Sequence, residues 1–311
     1  MNQRQIGSLD VSEVGLGCNN FGRRLDAEAS AAVVRSAMSA GITFFDTADI
    51  YGGGRSEEFL GKALGTRRDE AVIATKFGNP MEGQGKGAAP AYVRTAAEAS
   101  LRRLGTDRID LYQVHTPDPG VPIEETLGAL DELVRAGKVR EIGCSNFSVE
   151  QLREATKAVR GDAARFASVQ NEYNLLHREP EESVLDECAR SGLAFLPYFP
   201  LASGLLTGKY RRGQPPPEGS RISGSGRFAD LLTDRNLAIV EELIGFAEAR
   251  GHTILQMAVS WLLSRPTVAS VISGATSAEQ VRANAGAAGW QLTGEELAEI
   301  DAIVMRGERT G

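Results

Sequence analysis

Short apolar runs alternate with longer amphipathic stretches along this chain. The runs are "VGLGC" at 14–18, "TFFDTA" at 43–48, "AVIATKFG" at 71–78, "IDLYQVH" at 109–115, "EIGCSNF" at 141–147, "ASVQNEY" at 167–173, "LAFLPYFP" at 193–200 and "VASVISGA" at 268–275. They are rich in Val, Ile and Phe and do not alternate with polar residues, as expected of parallel strands buried on both faces. The stretches between them read as helices. "DAEASAAVVRSAMSAG" opens on Asp26 as N-cap and closes with Gly41 past its end. "APAYVRTAAEASLRRLG" and "PIEETLGALDELVRAGK" place proline in the first turn and glycine after the last. In "SVEQLREATKAV", Ser148 stands three residues before Gln151, a capping-box spacing.

Eight such strand–helix units predict a (β/α)8 TIM barrel spanning 1–311 as one domain. The opening "RQIGSLDVSEV" predicts a small hairpin ahead of the first barrel strand. A doubly wound open sheet is the alternative, but "GLGCNNFG" only loosely matches the glycine-rich turn that such a sheet carries after its first strand. About seventy residues separate the last two runs. They hold "TGKYRRGQPPPEGSRISGSGRF", whose Gly, Pro and Ser content suits a long covering loop, and then two helical patterns.

Composition changes this picture little. The 311 residues are 42% hydrophobic and 24% charged, ordinary for a globular protein. A net charge of −7 argues against nucleic-acid or anionic-membrane partners. Three widely spaced cysteines, Cys18, Cys144 and Cys188, predict neither a disulfide framework nor a zinc site. There is no signal-peptide pattern and no apolar run near the ~20 residues of a membrane span. The expectation is a cytoplasmic enzyme, monomeric or homo-oligomeric, acting on a small molecule.

In a barrel, chemistry gathers where the strands end. The second run ends in Asp46, the third carries Lys76, the fourth ends in His115, and Tyr51 follows Asp46 by five residues. Each alone has an ordinary structural explanation: a loop cap, an outward lysine, a hydrogen-bonded histidine. Together on three consecutive strands they are harder to dismiss, because a lysine within a buried run needs a partner and Asp46 on the neighbouring strand supplies one. The set suits proton transfer beside a carbonyl. Tyr51 is the proton donor, Lys76 is expected to lower its pKa, Asp46 holds Lys76, and His115 directs the carbonyl oxygen. No nucleophile–base pair or metal-binding carboxylate cluster is present, so the electrons must come from a nicotinamide cofactor.

The chain resembles the aldo-keto reductases over nearly its full length. "GLGCNNFG", "FDTADIYGGG", "SEEFLGKAL", "IATKFG", "LRRLGTDRIDLYQVH", "GKVREIGCSNF", "QNEYNLL", "YFPLASGLLTGKY" and "GATSAEQVRANAGA" carry the likeness in this order. It is particularly similar to the bacterial members related to the potassium-channel β-subunits. The resemblance implies NADPH-dependent reduction of aldehydes or ketones, with NAD less favoured, and the tetrad Asp46, Tyr51, Lys76 and His115. It implies that Ser145, Asn146 and Gln170 grip the nicotinamide carboxamide and that Tyr198, followed by Phe199 and Pro200, stacks on the ring. Leu201, Gly204, Leu205 and Lys209 match the segment over the pyrophosphate, and Gly17, Cys18 and Asn19 also fall on the cofactor side. Asn19 and Phe21 belong to the region that shapes the substrate pocket. Gly274, Thr276, Ser277, Gln280 and Asn284 match the adenosine-phosphate turn, with Asn284 toward the adenine. Here Gln280 replaces a common Arg, and Ala283 replaces a common acid, so the 2′-phosphate clamp is reduced. Two other functions compete with carbonyl reduction. One is a sensor barrel that holds NADPH and turns over slowly; the other is a lyase or isomerase barrel, in which Tyr51 and the cofactor residues lack a role.

Overall fold

The computed structural model describes residues 1–83, 85–218, 220, 222 and 230–309. A two-stranded antiparallel hairpin comes first, β1 (Gln3–Ile6) and β2 (Leu9–Ser12). Eight parallel strands follow: β3 (Val14–Gly17), β4 (Phe44–Asp46), β5 (Val72–Phe77), β6 (Ile109–Val114), β7 (Val139–Ser145), β8 (Phe166–Glu172), β9 (Ala194–Tyr198) and β10 (Val271–Gly274). They lie in the order β10-β3-β4-β5-β6-β7-β8-β9. A bridge between Phe195 and Val268 draws the two ends together, with the Phe195 N–H donating to Thr267 O at 2.7 Å. This is the predicted (β/α)8 barrel. All eight runs form strands, with ends shifted by up to three residues; the fifth starts at Val139, two residues before its apolar run.

The helices start and stop where their caps dictate. α1 (Ala27–Ser39) begins as Asp26 accepts the Ala29 N–H, and Gly41 turns the chain at φ 83°. α2 (Arg55–Leu64) follows the three glycines 52–54. α3 (Pro90–Leu104) has proline first and Gly105 in the left-handed region after its end. α4 (Ile123–Arg135) keeps Pro122 just outside, at the N-cap rather than in the first turn. α5 (Val149–Ala158) carries the Ser148–Gln151 capping box. α6 (Val184–Ser191) leads to β9. Both α7 (Asp234–Glu248) and α8 (Ile254–Leu263) precede β10, as the long last interval required, and α9 (Ala278–Ala285) and α10 (Gly294–Arg309) complete the ring.

Strand alternation sorts the core into two parts. Outward residues such as Ile73, Phe77 and Tyr112 join the helices in one large apolar layer. Inward residues Phe44, Ala74, Leu111, Leu196 and Ile272 form a smaller cluster with Ile6, Leu9 and Val11 of the hairpin. The hairpin therefore plugs the barrel at its N-terminal mouth. Arg4 fastens it, donating to Val268 O at 2.6 Å and Leu263 O at 2.7 Å. The opposite mouth, where the strands end, is left for polar side chains.

Candidate active site

Asp46 is the last residue of β4, and Lys76 is the fifth of six in β5. The register pairs Asp46 with Ala74, so Lys76 projects inward two residues beyond it, on the same side of the wall. The Lys76 side chain is fully buried, and its Nζ donates to both Asp46 oxygens, at 2.7 and 2.6 Å, and to Thr47 O at 2.8 Å. Burial opposes the ammonium, but Asp46 together with Tyr51 and Cys18 offsets it and leaves the amine above its ordinary value. Gln170, on β8, donates its amide to Asp46 Oδ1 at 2.9 Å. Gln170, expected at the cofactor, thus also braces the Asp46 carboxylate with its amide nitrogen.

Tyr51 lies above this pair. Lys76 Nζ is 5.4 Å from its ring centroid, and the His115 ring meets it edge to face at 5.9 Å. Burial raises the Tyr51 phenol above its ordinary value and outweighs the pull of Lys76, whose charge Asp46 largely neutralises. This corrects the expectation of a lowered pKa. Tyr51 is a protonated acid at neutral pH, and Lys76 limits the cost of ionising it. Burial, aided by the Lys76 charge, lowers His115 to about 3, so its imidazole is neutral. Its buried Nδ1 has no hydrogen-bond partner.

The next strand ends form a second cluster beside the tetrad. Ser145 closes β7 and donates to Gln170 O at 2.8 Å. Asn146 follows in the left-handed region at φ 63°, and its backbone N–H donates to Asn171 Oδ1. Its side-chain amide donates to His115 O at 2.9 Å, and its Oδ1 accepts the Tyr198 hydroxyl at 2.9 Å. Tyr198 thus stands at the end of β9 with its ring fixed at one edge. Phe199, Ala202 and Ser203 also have positive φ, at 49°, 45° and 56°. Four non-glycine residues with positive φ thus cluster on one rim. Leu205 is fully buried and joins the apolar layer outside the barrel. Lys209 is exposed, and its Nζ lies beside Gly204, where a Cβ would come within 3.1 Å of it. Gly204 thereby lets a cation approach the backbone.

Across the barrel mouth, β10 leads into α9. Ser277 caps the helix by accepting the Gln280 N–H at 3.2 Å. Gln280 folds back, its Oε1 accepting from the Thr276 N–H at 2.8 Å. Asn284 is buried and its amide points to Gly274 O at 3.4 Å, which binds the turn to the helix rather than leaving the group open. Arg282 lines a separate groove with Glu13 and Ala40, away from the turn, as its helical spacing predicts. Asn20 joins this region to the end of β3 by donating to Ala275 O at 3.3 Å. Gly17 pairs with both Asp46 and Gly274, while Cys18 is fully buried and its backbone N–H donates to Asp46 O. Phe21 is buried beside it. The long segment after Tyr210 is described only in part; Gly219, Arg221 and residues 223–229 lie outside the described residues.

Among the described residues no group of His, Cys, Asp and Glu is arranged to hold a metal, and no helix is long and apolar enough to cross a membrane. The sequence matches the model of the Aldo/keto reductase family over residues 13–305. It is 37% identical over 305 residues to the aldo-keto reductase YhdN of Bacillus subtilis, covering 95% of this chain and 91% of that protein. It is 36% identical to the L-glyceraldehyde 3-phosphate reductase of Escherichia coli, covering 93% and 88%. The glycerol dehydrogenase of Gluconobacter oxydans superposes with a TM-score of 0.85 at 32% identity, covering 98% of this chain and 95% of that one. With a barrel, a buried Lys–Asp pair under a tyrosine, and these relatives, the chain belongs to the aldo-keto reductase family of oxidoreductases acting on carbonyl compounds.

Proposed function

We propose that this protein reduces aldehydes or ketones to alcohols with NADPH, using Tyr51 as the proton donor. The observation that carries the reading is the fully buried Lys76–Asp46 pair beneath a protonated Tyr51 and beside a neutral His115. The rim fits a nicotinamide dinucleotide: it has a fixed aromatic ring at Tyr198, a cation at Lys209 and the first turn of α9. When bound, the nicotinamide supplies a hydride to the carbonyl carbon.

The protein's part is to bind, orient and move one proton. Tyr198 and Asn146 fix the ring plane; Lys209 meets the pyrophosphate; Thr276, Ser277 and the head of α9 receive the 2′-phosphate. His115, unprotonated, has its Nδ1 buried, so Nε2 is the nitrogen left to orient the carbonyl oxygen. Tyr51 gives its proton to that oxygen as negative charge develops. Lys76 then faces the tyrosinate and stabilises it, while Asp46 and Gln170 keep Lys76 in place. A general acid so placed typically contributes ~10²–10⁴-fold.

The test is NADPH oxidation against a panel of methylglyoxal, 4-nitrobenzaldehyde, glyceraldehyde, sugar aldehydes and steroid ketones. Turnover of at least one panel member above the no-enzyme rate is expected. Failure of the whole panel in single-turnover as well as steady-state assays would overturn the reading.

A further inference from the structure

The loop between Asp46 and Tyr51 crosses the barrel wall. Asp46 faces inward with Lys76, whereas Asp49 falls among residues of the layer between the strands and the helices. The titratable groups that act on it there are Glu57 of α2, Arg103 and Tyr92 of α3 and Tyr112 of β6, with Lys76 on the inner side. Asp49 is 1% exposed; no side chain hydrogen-bonds its carboxyl, and only the Ile50 backbone N–H approaches it. The Tyr112 hydroxyl, on which Asp49 also acts, is likewise buried without a partner.

The cation that might have paired with Asp49 is engaged elsewhere. Arg103 donates to Glu57 Oε2 at 2.6 Å, and Thr75 donates to Glu57 Oε1 at 2.6 Å. Lys76 is held on the inner side by Asp46. Asp49 nonetheless grips the catalytic strand, because its backbone N–H donates to Lys76 O at 3.1 Å. Two residues later the Tyr51 N–H closes the turn on Ala48 O at 3.1 Å.

We propose that Asp49 is a positioning residue for Tyr51, holding the loop in its active geometry only while its carboxyl is protonated. A neutral acid can sit beside the Glu57 carboxylate and the Tyr112 hydroxyl. An ionised one repels Glu57, and neither Arg103 nor Lys76 is available without breaking its own pair. The strain then falls on the short loop that ends in Tyr51. Burial and Glu57 raise Asp49 to about 7, inside the working range, whereas Tyr51 is raised above its ordinary value and His115 titrates near 3. The tetrad itself therefore leaves the neutral window clear. Arg103 and Tyr92 line an open groove of about 700 Å³ between α2 and α3, which brings solvent to the outer edge of this network.

This inference rests on the reductase reading, and its test separates the two. The pH profile of kcat is measured for wild type, Asp49→Asn and Glu57→Gln with one reducible aldehyde. Wild-type activity should fall about three- to tenfold from pH 6 to 8, as one ionisation allows. Asp49→Asn should lose that inflection, with its NADPH Kd unchanged. Glu57→Gln should move the inflection to lower pH, because it removes the carboxylate that disfavours ionisation. Amide hydrogen exchange supplies a readout independent of turnover. After correction for intrinsic rates, exchange at Asp49 and Tyr51 should rise between pH 6 and 8 in wild type, at lower pH in Glu57→Gln, and at no pH in that range in Asp49→Asn. Absence of any carbonyl turnover would sink the reductase reading and leave hydrogen exchange to judge Asp49. An inflection or exchange transition that persists in Asp49→Asn, or is missing from wild type, would overturn the proposal.

Discussion

Replacing Lys76 with methionine keeps a chain of similar length in the same slot and removes the charge. Asp46, 3% exposed, would then keep only the Gln170 amide of the side-chain donors that now reach it, having lost two bonds from Nζ at 2.7 and 2.6 Å. Breaking one side of a buried pair costs about 3–5 kcal/mol, because the remaining charge is uncompensated. At roughly 2–4 °C per kcal/mol for a larger domain, Tm should fall by roughly 6–20 °C. Asp46→Asn should cost a similar amount, since it strands the ammonium in the same dry site. The double variant removes both charges, so its loss should be smaller than the two single losses combined by at least about 1 kcal/mol. Denaturant unfolding of the four proteins gives this coupling. Activity offers a second reading: Lys76→Met should lower kcat because tyrosinate formation loses its nearby positive charge, and Asp46→Asn should lower it because the ammonium loses the carboxylate that holds it under Tyr51. Stabilities that add within about 0.5 kcal/mol would refute the claim that these groups act as one buried unit.

Two further outcomes concern the cofactor rim. Gln280→Glu keeps an oxygen to accept the Thr276 N–H, so the turn should survive while the added charge repels a 2′-phosphate. NADPH should weaken by about tenfold against little change for NADH; equal effects on the two Kd values would remove the phosphate from this turn. Tyr198→Leu loses both the ring and its bond to Asn146, and should raise the NADPH Kd about three- to tenfold, as ~0.5–1.5 kcal/mol of aromatic contact implies. An unchanged Kd, read by fluorescence titration, would mean the ring is no platform.

Much of the fold was legible because local signals agreed. Doubly apolar runs, caps such as Asp26 and Ser148, and glycines such as Gly105 each named their own element. Asp46 and Lys76 were legible for a related reason: a charge inside an apolar run requires a partner, and adjacent strands supply it. Strand ends were less so, since β7 begins at Val139 and Arg140, where polarity hides the start. The sign of the Tyr51 shift could not be read from the sequence. It depends on whether burial or Lys76 dominates, which only the packed site decides. The second contact of Gln170, with Asp46, was missed because the two are 124 residues apart and meet only when the barrel closes. Asp49 carries no signal of its own in the sequence; its isolation appears only when Glu57 is seen to occupy Arg103.

The central claim is that Tyr51 gives the proton and does not hold the cofactor. Tyr51→Phe keeps the ring beside His115 and removes only the hydroxyl. The most direct measurement is single-turnover hydride transfer from bound NADPH to a reducible aldehyde, with the NADPH Kd taken on the same samples. The rate should drop by ~10²–10⁴-fold with Kd nearly unchanged. A variant that retains more than about a tenth of the wild-type rate, at full cofactor occupancy, would contradict the assignment of Tyr51 as the acid.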